Sequence, residues 1–120
     1  MDKDFSVQVE EILEDYRRDV AEVTTKSING VARASVNKLR SSSPVGYTGK
    51  YAKGWQVKKL DKMTQVVHNA TAYQLTHLLE NGHVIRNAYG EYGRAPAHKH
   101  IEPVEAWASE ELIERIEREL

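Results

Sequence analysis

Nothing before Pro44, the first of the chain's three prolines, interrupts a helix, and residues 5–40 carry a helical period. Phe5, Val9, Ile12, Leu13, Tyr16, Val20, Val23, Ile28, Val31 and Leu39 fall on one face, with Ser35 as a small seam position. Glu10, Glu14, Arg17, Arg18, Glu22 and Lys26 occupy the other, and Glu14–Arg18 and Glu22–Lys26 are spaced as supporting (i, i+4) pairs. The weak point is Asn29-Gly30, since Gly costs about 1 kcal/mol against Ala inside a helix. A straight helix over this span runs about 54 Å at ~1.5 Å per residue. A compact domain of this size has a radius of gyration of about 14 Å. The helix therefore either breaks near Gly30 into two packed helices or protrudes. A protruding amphipathic end needs a partner to cover its apolar stripe, which argues for oligomerisation.

Ser41-Ser42-Ser43-Pro44 ends this helix, because the residue before a proline avoids helical backbone. Gly46 and Gly49 keep the next turn irregular, and Gly49 is expected at positive φ with Thr48 bonding nearby backbone. Trp55-Gln-Val57-Lys alternates as a half-buried strand, with Trp55 and Val57 inward. Leu60-Asp-Lys62 is the expected turn and Met63–His68 the partner strand. A short helix over Ala72–Asn81 stops at Asn81-Gly82. Val84–Arg86 reads as a third strand, with Ala95–His98 as its return. Pro103 opens a last helix, whose apolar face holds Val104, Trp107, Ala108, Leu112, Ile116 and Leu120. Glu102 and Glu105 suit its positive N-terminal end. The expected fold is α+β in a single domain over 1–120: a long N-terminal helix, a small antiparallel sheet, a short middle helix, and a C-terminal helix packed on the sheet. Trp55, Leu78, Leu79, Trp107 and Ile116 are the expected core.

Charge is unevenly spread. Residues 1–25 hold eight acids and three bases, residues 26–60 eight bases and no acid, and residues 61–120 ten acids and six bases, for a net −1. Such asymmetry speaks of partners and steering rather than of fold. The absence of cysteine excludes disulfides and thiolate metal sites. No apolar run approaches a membrane span, and Met-Asp-Lys-Asp-Phe at the start does not read as a signal peptide.

Four of the five histidines lie between residues 77 and 100. His77, His83, His98 and His100 lack metal-ligand spacing, and imidazoles that bond backbone and pin loop ends explain them better. Glu80, Glu91 or Glu102 beside a histidine would make an acid–base pair, but no nucleophile elbow, P-loop or dinucleotide fingerprint accompanies them. The chain reads as a non-enzyme without cofactor. Lys50, Tyr51, Lys53, Trp55, Lys58 and Lys59 interleave bases with aromatics, so the alternative function is nucleic-acid binding by the basic 26–60 segment. DNA contact stays open on this ground. A hairpin with one apolar and one lysine-rich face accounts for the same pattern.

His77-Leu-Leu-Glu-Asn-Gly-His83, a Gly-containing gap, and Ala97-His-Lys-His-Ile-Glu-Pro103 together resemble the second half of a phage family. That family is the minor tail-component or tail-completion proteins, gene-product-ten-like, of long-tailed phages. Ser43-Pro-Val-Gly-Tyr-Thr-Gly-Lys50 resembles the family's turn after a long first helix, with Tyr51 where an aliphatic residue is usual. The likeness runs over roughly residues 5–120. It implies a structural protein of the head–tail junction, joining head connector to tail during assembly. Implied partners are other neck and tail proteins (connector or stopper, tail terminator or tail tube) and further copies in a ring. The implied location is the virion, and the host cytoplasm before assembly, with no membrane partner.

The expected interaction surfaces are the Ser43–Lys50 turn and the Arg86–His100 excursion. The candidate residues are Tyr47, Lys50, Arg86, Tyr89, Tyr92, Arg94, His98 and His100. Asn87–Ala97 offers little aliphatic surface to offset ordering, so it is expected to be a loop or loose hairpin that orders on a partner, the alternative being a well-paired hairpin.

Overall fold

The computed structural model describes residues 3–46, 48–87 and 90–120. Eight elements follow in order: α1 (Lys3–Ser42), α2 (Lys50–Lys53), β1 (Trp55–Asp61), β2 (Thr64–Asn69), α3 (Leu75–Asn81), β3 (His83–Asn87), β4 (Gly90–Ala95) and α4 (Ile101–Glu119). The α+β class holds.

α1 runs unbroken through Asn29-Gly30, so of the two alternatives the protrusion is the one adopted. Gly30 lies against the Arg115 guanidinium of α4, where an added methyl would collide with it. The glycine thus sits inside the helix, facing the end of a flexible α4 side chain, instead of breaking the helix. At the C-terminus, Ser41 and Ser42 hydroxyls donate to the Lys38 carbonyl and Ser43 to that of Leu39, which also accepts the Ser43 N–H at 2.9 Å. The molecule measures 87 × 22 × 20 Å, with a radius of gyration of 21.7 Å, well above the compact expectation.

Two ribbons replace the one sheet expected. β1 and β2 pair antiparallel, with Trp55 opposite Asn69, Val57 opposite Val67 and Lys59 opposite Gln65. Their turn is tied by Asp61, whose carboxylate accepts the Met63 N–H at 2.8 Å. β3 and β4 form a separate antiparallel ribbon, His83 opposite Ala95 and Arg86 opposite Glu91. The excursion after Asn87 thus supplies a paired strand, so the hairpin alternative is the one adopted, and the return strand precedes Ala95–His98. α3 is shorter than Ala72–Asn81 because the Asn69 side chain accepts the N–H groups of Thr71 and Ala72 and holds an Asx turn before it.

α4 lies mainly along α1, with small side chains (Ala32, Ser35, Ala108, Ser109) where the two meet. The core sits at the C-terminal end of α1: Val36, Leu39, Tyr51, Trp55 and Val104, with Val67, Ala72, Leu79 and Ile101 packed around it. Removing such an aliphatic side chain from water stabilises by about 1.5–3 kcal/mol. The expected core is corrected in part. Trp55 is central and Leu79 adjoins it. Leu78 is 36% exposed, and Trp107 and Ile116 are half-buried, because α4 follows the α1 axis and turns only its first turn toward Trp55. Trp107 instead carries the Lys38 ammonium 4.4 Å over its ring. Val57 is 38% exposed rather than inward, since a two-stranded ribbon is too narrow to cover its own α1-facing side.

Candidate functional site

The residues from Thr71 to Pro103 are tied together by one carboxylate. α3 ends at Gly82, which sits at φ 76 and brings β3 back within reach of the strand end: a Cβ there would lie 2.6 Å from the Ala95 carbonyl. One residue pair earlier, Glu80 points into the protein. Its Oε1 accepts the backbone N–H groups of His100 and Ile101 at 2.9 Å each, and Oε2 accepts that of Glu102 at 2.9 Å. A helix N-terminus leaves four N–H groups unpaired. Glu80 takes three from another element, and Pro103 has no N–H to satisfy. The negative charge also meets the positive end of the α4 dipole.

His100 completes this joint. It is 1% exposed and its Nδ1 donates to the His98 carbonyl at 2.6 Å, which leaves Nε2 to accept the Tyr51 hydroxyl at 2.6 Å. Tyr51 in turn stands edge-on to Trp55. The Trp55 indole N–H donates to Ser43 Oγ at 2.8 Å, tying β1 to the end of α1. Arg40 donates twice to the Trp55 carbonyl, at 3.2 and 2.9 Å. Asn69 Nδ2 donates to the Tyr51 carbonyl at 2.7 Å, and Thr71 Oγ1 to that of Lys50 at 2.8 Å.

Electrostatics follow from this geometry. Burial alone would raise the Glu80 carboxyl, but the three backbone N–H bonds and neighbouring His100 outweigh it and hold the group below its ordinary range. Tyr51 is pushed up to about 12, first by burial and then by the Glu80 charge. The acid–base pair allowed by composition is thus a buried structural joint. Among the described residues, no group of three or more acids or histidines converges on one point, and no helix is long and apolar enough to cross a membrane.

The Ser43–Lys50 turn has the expected form. Gly49 lies at φ 69 and Lys50 N–H donates to Thr48 Oγ1 at 3.2 Å. Lys50 is exposed. Arg94 is exposed and reaches the Asn81 carbonyl at 3.4 Å. His98 is exposed, with Nε2 donating to the Ser42 carbonyl at 3.1 Å. Arg86 and Tyr92 occupy β3 and β4, with side chains outside the description, and Tyr47 and Tyr89 lie outside the described residues. His100 is corrected: it belongs to the core, not to a surface. Sequence reasoning missed Glu80 as an organiser. Its only local signal is a polar residue beside a turn, which many solvent-exposed residues share.

The outer part of α1 contrasts with this joint. Gln8–Asp19 are all exposed, among them Ile12 at 66% and Tyr16 at 62%. The basic 26–60 segment keeps exposed Lys50, Lys53, Lys58 and Lys59, but Tyr51 and Trp55 are buried, so base stacking on these rings is not available.

Comparison with curated proteins finds no match, and comparison with solved structures finds none. A family model, described as "Bacteriophage HK97-gp10, putative tail-component", matches residues 3–82, which takes in α1, the turn, the first ribbon and α3 with its Gly82 stop. The chain belongs to the HK97-gp10-like family, and that membership supports a structural role as a phage tail component.

Proposed function

We propose that this chain acts at the head–tail junction, as a single domain over residues 1–120, joining the head connector to the tail during virion assembly. Its partners are neck and tail proteins (a connector or stopper on one side, a tail terminator or tail tube on the other) and further copies of itself in a ring. It assembles from the host cytoplasm into the virion. Family membership supports the tail assignment. The observation that carries the finer reading is the bare outer half of α1, an amphipathic surface that a single copy leaves in water. A second support is the pair of polar segments that flank the Glu80–His100 joint, the turn that leads into Lys50 and the β3–β4 ribbon with Arg94 and nearby His98. Loops and ribbons on a rigid frame are where binding residues concentrate, and Tyr47, Arg86, Tyr89 and Tyr92 are the further candidates by residue type.

The test is genetic. Deleting the gene from a phage or inducible prophage that carries it is expected to yield filled heads and finished tails that fail to join, and a plasmid copy restores joined particles. Normal joined particles without the gene would defeat the reading. A Tyr92→Ala, Arg94→Ala double variant that joins particles at the normal yield removes the β3–β4 ribbon from the interface.

A further inference from the structure

We propose that the outer half of α1 of one copy docks in the groove between α1 and β1 of a second copy. This rests on the self-assembly contained in the reading above and names the surfaces that make it. The donor surface is the stripe Val9, Ile12, Leu13 and Tyr16, all exposed. At a helix's ~100° per residue, Asp15, Asp19 and Glu22 run along one flank of that stripe. The acceptor is a groove of about 540 Å³. Val36 and Val57 give it apolar walls, and Arg33, Arg40 and Lys59 rim it, with no acid among its lining residues. Asn29, Asn37, Gln56 and Gln65 complete the lining, so an apolar stripe with an acidic flank meets a groove that offers Val57 beside a basic rim.

Charge selects this occupant over the obvious rival. Two outer helices paired with each other would bring together two segments that each hold eight acids against three bases. Docked on the 26–60 segment instead, the same helix meets eight bases and no acid. A chain cannot fill its own groove, because one wall of the groove is the unbroken continuation of the same helix. The contact is therefore head-to-tail, the kind that generates a ring when the rotation closes.

The chain's lack of cysteine makes the test direct. An Asp15→Cys chain is mixed with a Lys59→Cys chain under a mild oxidant. The expected product is a mixed disulfide dimer whose yield falls with added salt. Adding Arg33→Glu to the groove chain abolishes it, and adding Asp19→Arg to the helix chain then restores it. Symmetric Asp15→Cys dimers as the main product would show helix-to-helix pairing and overturn the proposal, as would no mixed disulfide or one indifferent to salt. Joined particles made by a chain that fails this test would leave the junction role standing and the docking mode refuted.

Discussion

The two ends of α1 are one helix with opposite circumstances. At its C-terminal end Val36 and Leu39 are buried against Tyr51, Trp55 and Val104, and the polar groups nearby are paired across elements. At its N-terminal end Gln8–Asp19 are all exposed, and the ion pairs there, Glu14–Arg17 and Asp15–Arg18 at 3.3 Å, are exposed and lie within the helix itself. Exposed pairs of that kind contribute at most about 1 kcal/mol. The apolar residues of both ends follow the same period, so periodicity states that a face is apolar without stating what covers it. The difference separates the part of α1 that the rest of the chain covers from the part that it leaves exposed.

The sharpest way to break the comparison is Glu80→Ala. It leaves three N–H groups of the α4 N-terminus unpaired inside the protein, and we expect a loss of roughly 3–5 kcal/mol in urea unfolding. A loss below about 1 kcal/mol would mean that the joint is not what holds α4 in place. Tyr51→Phe removes the donor to His100 Nε2 while keeping the ring, and should cost about 1–3 kcal/mol by the same measurement. An unchanged midpoint would assign the stability to packing alone.

The joint also carries a pH signature. The Glu80 carboxyl is held below its ordinary range in the folded state, so its contribution is fully present above the ordinary carboxyl pKa. It is lost as pH falls through the depressed folded value. Tyr51 has the opposite sense: its neutral form is favoured, so stability is present below the ordinary pKa near 10 and declines as pH rises toward about 12. Thermal melts of the parent and Glu80→Gln chains should therefore converge on acidification. Parallel curves would remove Glu80 as the titrating group.

Smaller effects sharpen the contrast. Gly49→Val forces a β-branched residue into the left-handed region at φ 69 and should destabilise by about 1–2 kcal/mol. Smallest of all, Tyr16→Ser on the outer helix should change stability by no more than about 0.5 kcal/mol, yet lower self-association measured by sedimentation. A large loss of stability there would show that the outer helix belongs to the folding unit after all.

What the sequence by itself determined is local. The absence of proline before Pro44 and the three-and-four spacing specify α1. Gly49 and Gly82 specify positive-φ stops, and Trp55–Asn69 specifies a hairpin, because each depends on residues adjacent in the chain. The Asn69 turn shows the limit: the side chain holds the Thr71 and Ala72 N–H groups, yet α3 starts only at Leu75, so the residue type does not set where the helix begins. Tertiary structure decided the rest. Glu80 reads as one more acid on a short helix until α4 arrives with three unpaired N–H groups, twenty residues further along. His98 and His100 are two residues apart, yet one is exposed and the other is the most buried large side chain among the described residues, because only one of them meets Tyr51. Two ribbons formed instead of one sheet because β1 and β2 pack on α1 while β3 and β4 pair only with each other. Capping, burial and sheet order are contacts between distant segments, so they are fixed by where the fold brings those segments together.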